Sequence, residues 1–83
     1  MIKQPVAFPD GQPLNRSRAA QLVQVTNRFA SRVMIEHKQK LVNAKSMLGL
    51  LSLGVDDQGE MMLLAEGPDE AEAIEAILAW MKR

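Results

Sequence analysis

The sequence predicts an α+β fold, an open-faced sandwich in which three helices cover one face of a four-stranded antiparallel sheet. Two observations predict it. Strand-type and helix-type segments follow one another in the order strand, helix, two strands, helix, strand, helix. The chain has 83 residues, enough for one hydrophobic core but too few for two, so residues 1–83 are expected to form a single domain.

The first strand is predicted over residues 2–8 and the first helix over residues 16–30. Pro5 has no N–H to give to a neighbouring strand, which favours a position at the sheet edge. Gly and Pro in residues 10–13 indicate a loop. Asn15 is a favourable N-cap for the first helix, whose apolar residues recur at helical spacing.

A hairpin and a final strand are predicted to complete the sheet. The hairpin strands are Arg32–His37 and Lys40–Asn43, joined by a two-residue turn that lacks the Gly or Asn such turns favour. The last strand covers residues 60–66, and the third helix opens at Pro68 and Asp69. The buried stripe of this helix is expected to consist of Ile74, Ile77, Leu78 and Met81.

Composition and charge restrict the classes of function. Hydrophobic residues make up 47% of the chain and charged residues 24%, the balance of a folded chain rather than a disordered one. No cysteine is present, and no apolar run approaches the ~20 residues of a membrane span. Without the apolar stretch of a signal peptide, the chain is expected to be cytoplasmic. Residues 1–45 carry a basic excess and residues 46–83 an acidic one, which favours two solvated faces over a nucleic-acid surface.

The sequence contains no motif that brings catalytic residue types together. His37 is the only histidine and lies beside the predicted hairpin turn, where a surface position is expected rather than a catalytic one. The acids of the third helix suit its dipole, and no metal-ligand spacing or glycine-rich phosphate loop is found. We expect no enzyme activity, no metal and no cofactor.

Two features of the second helix point to a function. Ser46 is placed as its N-cap, a role that alone accounts for a serine, but a phosphate there would also gain from the helix start. The helix is predicted over residues 47–53, with Gly54 as its stop. Two turns cannot bury five large apolar side chains at once, so part of the helix is expected to form an exposed patch for a partner.

These residues resemble the histidine-containing phosphocarrier family, HPr, of the bacterial sugar phosphotransferase system. "VNAKSMLGLLSLG" at residues 42–54 is similar to its serine-phosphorylation segment. The resemblance continues through "LVQ" at residues 22–24, "NRF" at residues 27–29 and "EGPDEAEAIEAI" in the last helix, and so covers essentially the whole chain. It implies the same open-faced sandwich that the order of elements predicts.

The resemblance breaks at the start of the first helix. Phosphocarriers have the pattern Ile-His-Ala-Arg-Pro-Ala there, in which the histidine receives phosphate from enzyme I and the arginine helps to hold it. Here Asn15 occupies the histidine position, Ser17 the arginine position and Arg18 the proline position. An amide cannot replace the imidazole as a phosphate acceptor, so histidine phosphotransfer is expected to be absent.

A branch of the family, the catabolite repression HPr (Crh), lacks the histidine and keeps the serine. Resemblance to this branch implies phosphorylation of Ser46 by HPr kinase/phosphorylase, followed by binding to a LacI-type catabolite control protein. The expected partner-binding residues are Ala20, Met47, Leu48 and Leu51. The resemblance also implies that the chain is either a monomer or a homodimer whose subunits exchange the first strand. Ser17 departs from the branch, which keeps an arginine at that position.

Three cations are candidates to contact a phosphate on Ser46, namely Arg16, Arg18 and Lys45. The alternative for the two arginines is that they are solvated, at a cost of about 0.3–1 kcal/mol each against the helix dipole. Two other functions stay open. One is an unphosphorylated scaffold or inhibitor that binds a metabolic enzyme or a phosphotransferase component, and the other is an enzyme subunit whose chemistry lies on another chain.

Overall fold

A computed structural model describes residues 1–11, 14–53 and 60–82. The elements in chain order are β1 (Ile2–Val6), α1 (Arg16–Thr26), β2 (Arg32–His37), β3 (Lys40–Asn43), α2 (Met47–Leu51), β4 (Met61–Glu66) and α3 (Glu70–Met81). The four strands form one antiparallel sheet in the order β1-β4-β2-β3. The predicted four-stranded sheet with three helices is confirmed.

The core lies between the helices and one face of the sheet. Alternate strand residues, among them Val33, Ile35 and Leu63, are fully buried. Leu22 of α1, Leu50 of α2 and Ile77 of α3 belong to the same buried cluster. All three helices therefore pack on one face, and the other face of the sheet carries the residues between these buried positions.

His37 is buried, so the prediction that it lies at the surface is wrong. It is 7% exposed, and its Nδ1 lies 3.2 Å from the backbone oxygen of Glu60. The cause is the period of two along β2, which directs residues 33, 35 and 37 toward the helices. Its place beside the turn at Lys38 and Gln39 therefore does not expose its side chain.

The hairpin turn forms without glycine or asparagine. Lys38 and Gln39 have φ angles of 49° and 69°, in the left-handed region that L-residues seldom adopt. His37 pairs with Lys40 across the turn, so both strands have their predicted bounds. The cross-strand register keeps the turn in this conformation against the local preference of its residues.

Three elements end earlier than predicted. α1 ends at Thr26, whose buried hydroxyl donates to the backbone oxygens of Val23 at 3.1 Å and Ala44 at 3.0 Å. β1 ends at Val6, and α2 ends at Leu51, while the predicted stop at Gly54 lies outside the described residues. In α3 the fully buried positions are Ala73, Ile74, Ile77 and Met81, and Leu78 is only half-buried.

Asp69 joins two loops that are far apart in the chain. Its carboxylate accepts hydrogen bonds from the N–H groups of Ala30 and Ser31, both at 2.9 Å, and from the Ser31 hydroxyl. The Ser31 Oγ in turn accepts from the Asp69 N–H at 3.1 Å. These bonds, led by the one from the Ser31 hydroxyl, lower the pKa of Asp69 below its ordinary value. The carboxylate therefore connects the α1–β2 and β4–α3 loops, although it makes no side-chain cap to α3.

Gly67 lies against the same serine. A Cβ built at Gly67 would lie 2.6 Å from Ser31 Oγ and 2.7 Å from Ser31 Cα, both below any normal contact. Its φ of 153° is also one that glycine adopts most easily. The Gly67 N–H donates to the Glu70 carboxylate at 3.1 Å, and this bond is the main cause of a lowered pKa for Glu70. The packing of the two loops therefore requires glycine.

Candidate functional site

Ser46 lies at the N-cap of α2, at the end of a tight turn that follows β3. Its Oγ accepts a hydrogen bond from the Gly49 N–H at 3.1 Å. Asn43 closes the turn, because its Oδ1 accepts from the Lys45 N–H at 2.8 Å and its backbone oxygen accepts from the Ser46 N–H at 3.1 Å. The predicted N-cap is confirmed, and the hydroxyl is fixed in position while the residue stays partly exposed.

The residues before Ser46 connect this turn to the C-terminal end of α1. Ala44 is fully buried, and its backbone oxygen accepts from the Thr26 hydroxyl at 3.0 Å. The Lys45 ammonium donates to the backbone oxygen of Phe29 at 2.6 Å. Ser46 is therefore held beside the last turn of α1 by two bonds that do not involve Ser46 itself.

Gly49 allows the first turn of α2 to approach Asn43 closely. A Cβ at Gly49 would lie 3.2 Å from the Asn43 backbone oxygen and 3.5 Å from Ser46 Oγ. Glycine inside a helix costs roughly 0.5–1 kcal/mol relative to alanine. Here it leaves room beside the Ser46 hydroxyl, which a larger side chain would reduce.

An apolar surface adjoins Ser46, and we call its four residues the α2 patch: Ala20, Met47, Leu48 and Leu51. Leu48 is 81% exposed, whereas Leu50 on the opposite side of α2 is fully buried. Met47 and Leu51 are half-buried against the core, and Ala20 is exposed on α1, which packs on α2. A helix of five residues buries only one side, and the part that is exposed as expected is Leu48.

Asn15, which the resemblance aligns with the histidine of phosphocarriers, is the N-cap of α1. Its Oδ1 accepts from the Arg18 N–H at 2.8 Å, as an N-cap requires. A primary amide is neutral and has no nucleophilic nitrogen comparable to that of imidazole. Asn15 therefore stabilises the helix start, and we expect it not to accept a phosphoryl group.

Arg18 contacts two residues of the segment between β1 and α1. Its guanidinium forms a two-point ion pair with Asp10, with one contact of 3.3 Å between Nη1 and Oδ1. It also lies over the Phe8 ring, 4.1 Å from the centroid. Phe8 packs edge-on against Trp80, with ring centroids 5.6 Å apart. Arg18 therefore connects the β1–α1 loop to the first turn of α1.

The contact of Arg16 or Arg18 with a phosphate on Ser46 stays a prediction. Both arginines lie in the first turn of α1, and Arg18 already forms an ion pair with Asp10. Lys45 is the candidate cation that lies next to Ser46, although its ammonium is bonded to the Phe29 oxygen.

Replacing Arg18 with glutamine is expected to lower the free energy of unfolding by about 0.5–1.5 kcal/mol, because a partly exposed ion pair and a cation–π contact are both lost. Urea denaturation measures this loss. Arg16→Gln is the matched control, an exposed arginine in the same turn, and should change stability by less than about 0.5 kcal/mol. Equal losses in the two variants would show that the Arg18 contacts contribute nothing.

Within residues 1–11, 14–53 and 60–82, no group of three His, Asp or Glu side chains is placed to hold a metal ion. Over those same residues, no helix has the length and apolar character needed to cross a membrane.

An open-faced sandwich with a capped serine beside an exposed apolar helix, and asparagine as the N-cap of α1, is the arrangement expected for a protein of the HPr type. Residues 4–83 match the family model described as the PTS HPr component phosphorylation site. The chain is 40% identical over 83 residues to the HPr-like protein Crh of Halalkalibacterium halodurans, with 100% of this chain and 99% of that protein covered. The chain belongs to the HPr family, and its predicted similarity to the Crh branch is confirmed.

Solved structures show the same fold. HPr-C-His from Thermoanaerobacter tengcongensis matches with a TM-score of 0.88 at 37% identity, covering 98% of this chain and 91% of that one. Crh of Bacillus subtilis, whose crystal structure is described as an intertwined dimer with a swapping domain, matches with a TM-score of 0.74 at 43% identity, covering 98% and 93%. The fold predicted from the sequence is that of these proteins.

Proposed function

We propose that the chain is a regulatory protein and not an enzyme, phosphorylated on Ser46 by HPr kinase/phosphorylase and then bound by a LacI-type catabolite control protein through the α2 patch. The observation that carries the proposal is the placement of the Ser46 hydroxyl, fixed at the start of α2 beside an apolar surface on which Leu48 is 81% exposed. Membership of the HPr family, with relatives in the Crh branch, supports it.

A phosphate on Ser46 would add charge where the backbone accommodates it. It carries about −1.5 to −2 charges at pH 7, and the start of a helix is the favourable end for an anion. The Gly49 N–H that now donates to Oγ would be available to a phosphate oxygen. The modified site would join an anionic anchor to the α2 patch, a combination that a partner with a basic and an apolar surface can recognise.

A second candidate is a scaffold or inhibitor that binds a metabolic enzyme or a phosphotransferase component without phosphorylation. The α2 patch favours it, because α2 is already formed and Leu48 already exposed without a phosphate. Both candidates use the same surface. They differ in whether binding requires modification of Ser46.

Incubation with HPr kinase plus ATP, and separately with enzyme I plus phosphoenolpyruvate, tests the proposal when the products are weighed by mass spectrometry. We expect one phosphoryl group from the kinase and none from enzyme I. Ser46→Ala should abolish the modification, whereas Ser52→Ala, a serine at the other end of α2, should leave it unchanged. No modification by the kinase favours the scaffold, and phosphate transfer from enzyme I would overturn the role given to Asn15.

Binding of the phosphorylated chain to the control protein, measured by calorimetry, tests the surface. Leu48→Lys should weaken binding roughly tenfold or more, because an apolar contact at the centre of an interface is replaced by a charge. Leu41→Lys is the control, since Leu41 is 53% exposed but belongs to β3, across the molecule from the helices. Equal binding of the unphosphorylated chain would contradict a switch at Ser46.

A further inference from the structure

A groove lies between α1 and α3, and we call it the α1–α3 groove. Its volume of about 320 Å³ is at the lower end of the range for small-ligand sites. Neither Ser46 nor any residue of the α2 patch lines it, so the groove is separate from the candidate site described above. The lining residues are Gln21, Gln24, Val25, Arg28, Ala76 and Trp80.

Trp80 contributes ring surface to the groove, because its polar edge is already bonded. The indole Nε1–H donates to Gln21 Oε1 at 3.0 Å, and Gln21 Nε2 donates to Ser17 Oγ at 3.4 Å. Both ends of the Gln21 amide are therefore held. Val25 is buried and Ala76 half-buried between the helices. This part of the groove offers apolar contact and an aromatic ring, against which a flat apolar group can pack.

Gln24 and Arg28 supply polar groups that are available to a ligand. Both residues are exposed, and within the described ranges the Gln24 amide forms no hydrogen bond and the Arg28 guanidinium no ion pair. The guanidinium lies 5.9 Å from the centroid of the Phe29 ring, a contact that leaves its charge uncompensated. The groove therefore combines a cation and an amide with an apolar floor.

The acids near these residues leave the positive charge of Arg28 in place. Asp69 lies close to this end of α1, but its carboxylate is bonded to the N–H groups of Ala30 and Ser31. Glu72 is exposed and precedes Ala76 by one turn of α3, so it lies toward the same side of that helix without lining the groove. Its charge opposes an anion in the groove, and the size of that effect can be measured.

We propose that the α1–α3 groove is a binding site for a small organic carboxylate with a flat apolar body. Arg28 donates two parallel hydrogen bonds to the carboxylate, the geometry for which a guanidinium is best suited, and the Gln24 amide donates a third. The apolar body lies over Val25 and Ala76 and extends toward the Trp80 ring.

The dimensions of the groove and its mixed lining select this class of ligand. Seven residues of α1 separate Gln21 from Arg28, a distance of roughly 10 Å along the helix. An inorganic anion would occupy only the end at Arg28, and an uncharged apolar molecule would leave the guanidinium and the amide unused. Because the groove does not include Ser46, this proposal is independent of the proposed function.

Titration with 3-phenylpropanoate tests the proposal, since Trp80 is the only tryptophan of the chain and its fluorescence reports on the groove. We expect a saturable change with a Kd of about 1 mM, weak because the groove is open and the probe small. The neutral analogue 3-phenylpropanamide should bind roughly tenfold more weakly. The absence of a saturable change with the carboxylate, or equal binding of the amide, would overturn the proposal.

Charge variants locate the carboxylate. Arg28→Gln should weaken binding of 3-phenylpropanoate roughly tenfold, because the charged partner is lost. Arg32→Gln is the matched control, an exposed arginine of β2 that does not line the groove, and should have no effect. Glu72→Gln should tighten binding about twofold, since it removes a like charge. Equal affinities in Arg28→Gln and the unmodified chain would contradict the site.

A filled groove gives a test that keeps every charge. Ala76→Leu should abolish binding of 3-phenylpropanoate by occupying the floor, whereas Ala79→Leu, at an exposed alanine of the same helix outside the groove, should leave it unchanged. The Tm of each variant shows that it is folded. Retention of full affinity in a folded Ala76→Leu variant would place the ligand elsewhere and overturn the proposal.

Discussion

Replacing Gly67 with alanine is expected to lower the free energy of unfolding by roughly 3–5 kcal/mol. The new Cβ would lie 2.6 Å from Ser31 Oγ and 2.7 Å from Ser31 Cα. Moving the hydroxyl away is not enough, because the second contact is with the backbone, and Ser31 is held by Asp69. A chain of this length has about 4–12 kcal/mol of stability in total, so the loss would be a large part of it.

Gly11→Ala is the matched control for this substitution. Gly11 also has a positive φ, 71°, but a Cβ there would meet nothing within 4 Å. Gly11→Ala should lower the free energy of unfolding by about 1 kcal/mol, because a side chain disfavours the positive φ but meets no other atom. Urea denaturation of both variants separates the clash from the conformational cost. A Gly67→Ala loss no larger than that of Gly11→Ala would mean that the loops move apart easily.

Replacing Asp69 with asparagine is expected to cause the second-largest loss of stability after Gly67→Ala, measured as a lower urea midpoint and a lower Tm at neutral pH. The two carboxylate oxygens accept from the N–H groups of Ala30 and Ser31, both at 2.9 Å. An asparagine amide has one oxygen, and its NH₂ group would face the other donor, leaving that N–H without a partner. Glu72→Gln, an exposed acid in the first turn of the same helix, should change both quantities little.

The effect of Asp69 should depend on pH in a defined direction. Hydrogen bonds from Ser31 and Ala30 lower its pKa in the folded state below the ordinary value of 3.8. Its contribution to stability is therefore complete above that value and is lost as the pH falls through the folded pKa. The gap between the urea midpoints of the unmodified chain and Asp69→Asn should be constant near neutrality and close in acid. A gap that persists in strong acid would contradict the assignment.

Local patterns predicted the elements, and contacts between distant residues changed their ends. The alternation in β2 and the polar and apolar periodicity of α3 are visible in the sequence, and both elements form where predicted. The end of α1 depends on the bond between the Thr26 hydroxyl and the Ala44 oxygen, 18 residues apart, which no local pattern contains. Asp69 was predicted to serve its own helix, but its carboxylate bonds to a loop 38 residues away.

The sequence predicted those features of the candidate site that depend on local patterns, and it missed those that depend on contacts between distant residues. Ser46 as N-cap and the exposure of Leu48 follow from the length and boundaries of α2. The turn at Asn43 could have been recognised as well, because asparagine two residues before a backbone donor is a common turn signal. The partner of Arg18 could not have been recognised from the sequence, since its ion pair with Asp10 depends on the position of the loop that follows β1.

The order β1-β4-β2-β3 means that the first strand to be synthesised pairs with the last. During synthesis, β1 leaves the ribosome before β4 exists, and it stays unpaired while α1, the β2–β3 hairpin and α2 are translated. Because closing a contact between the two ends of the chain is slow relative to helix and hairpin formation, completion of the sheet should limit the folding rate. We therefore expect the protein concentration during folding to influence whether β1 pairs with β4 of its own chain or with β4 of another molecule.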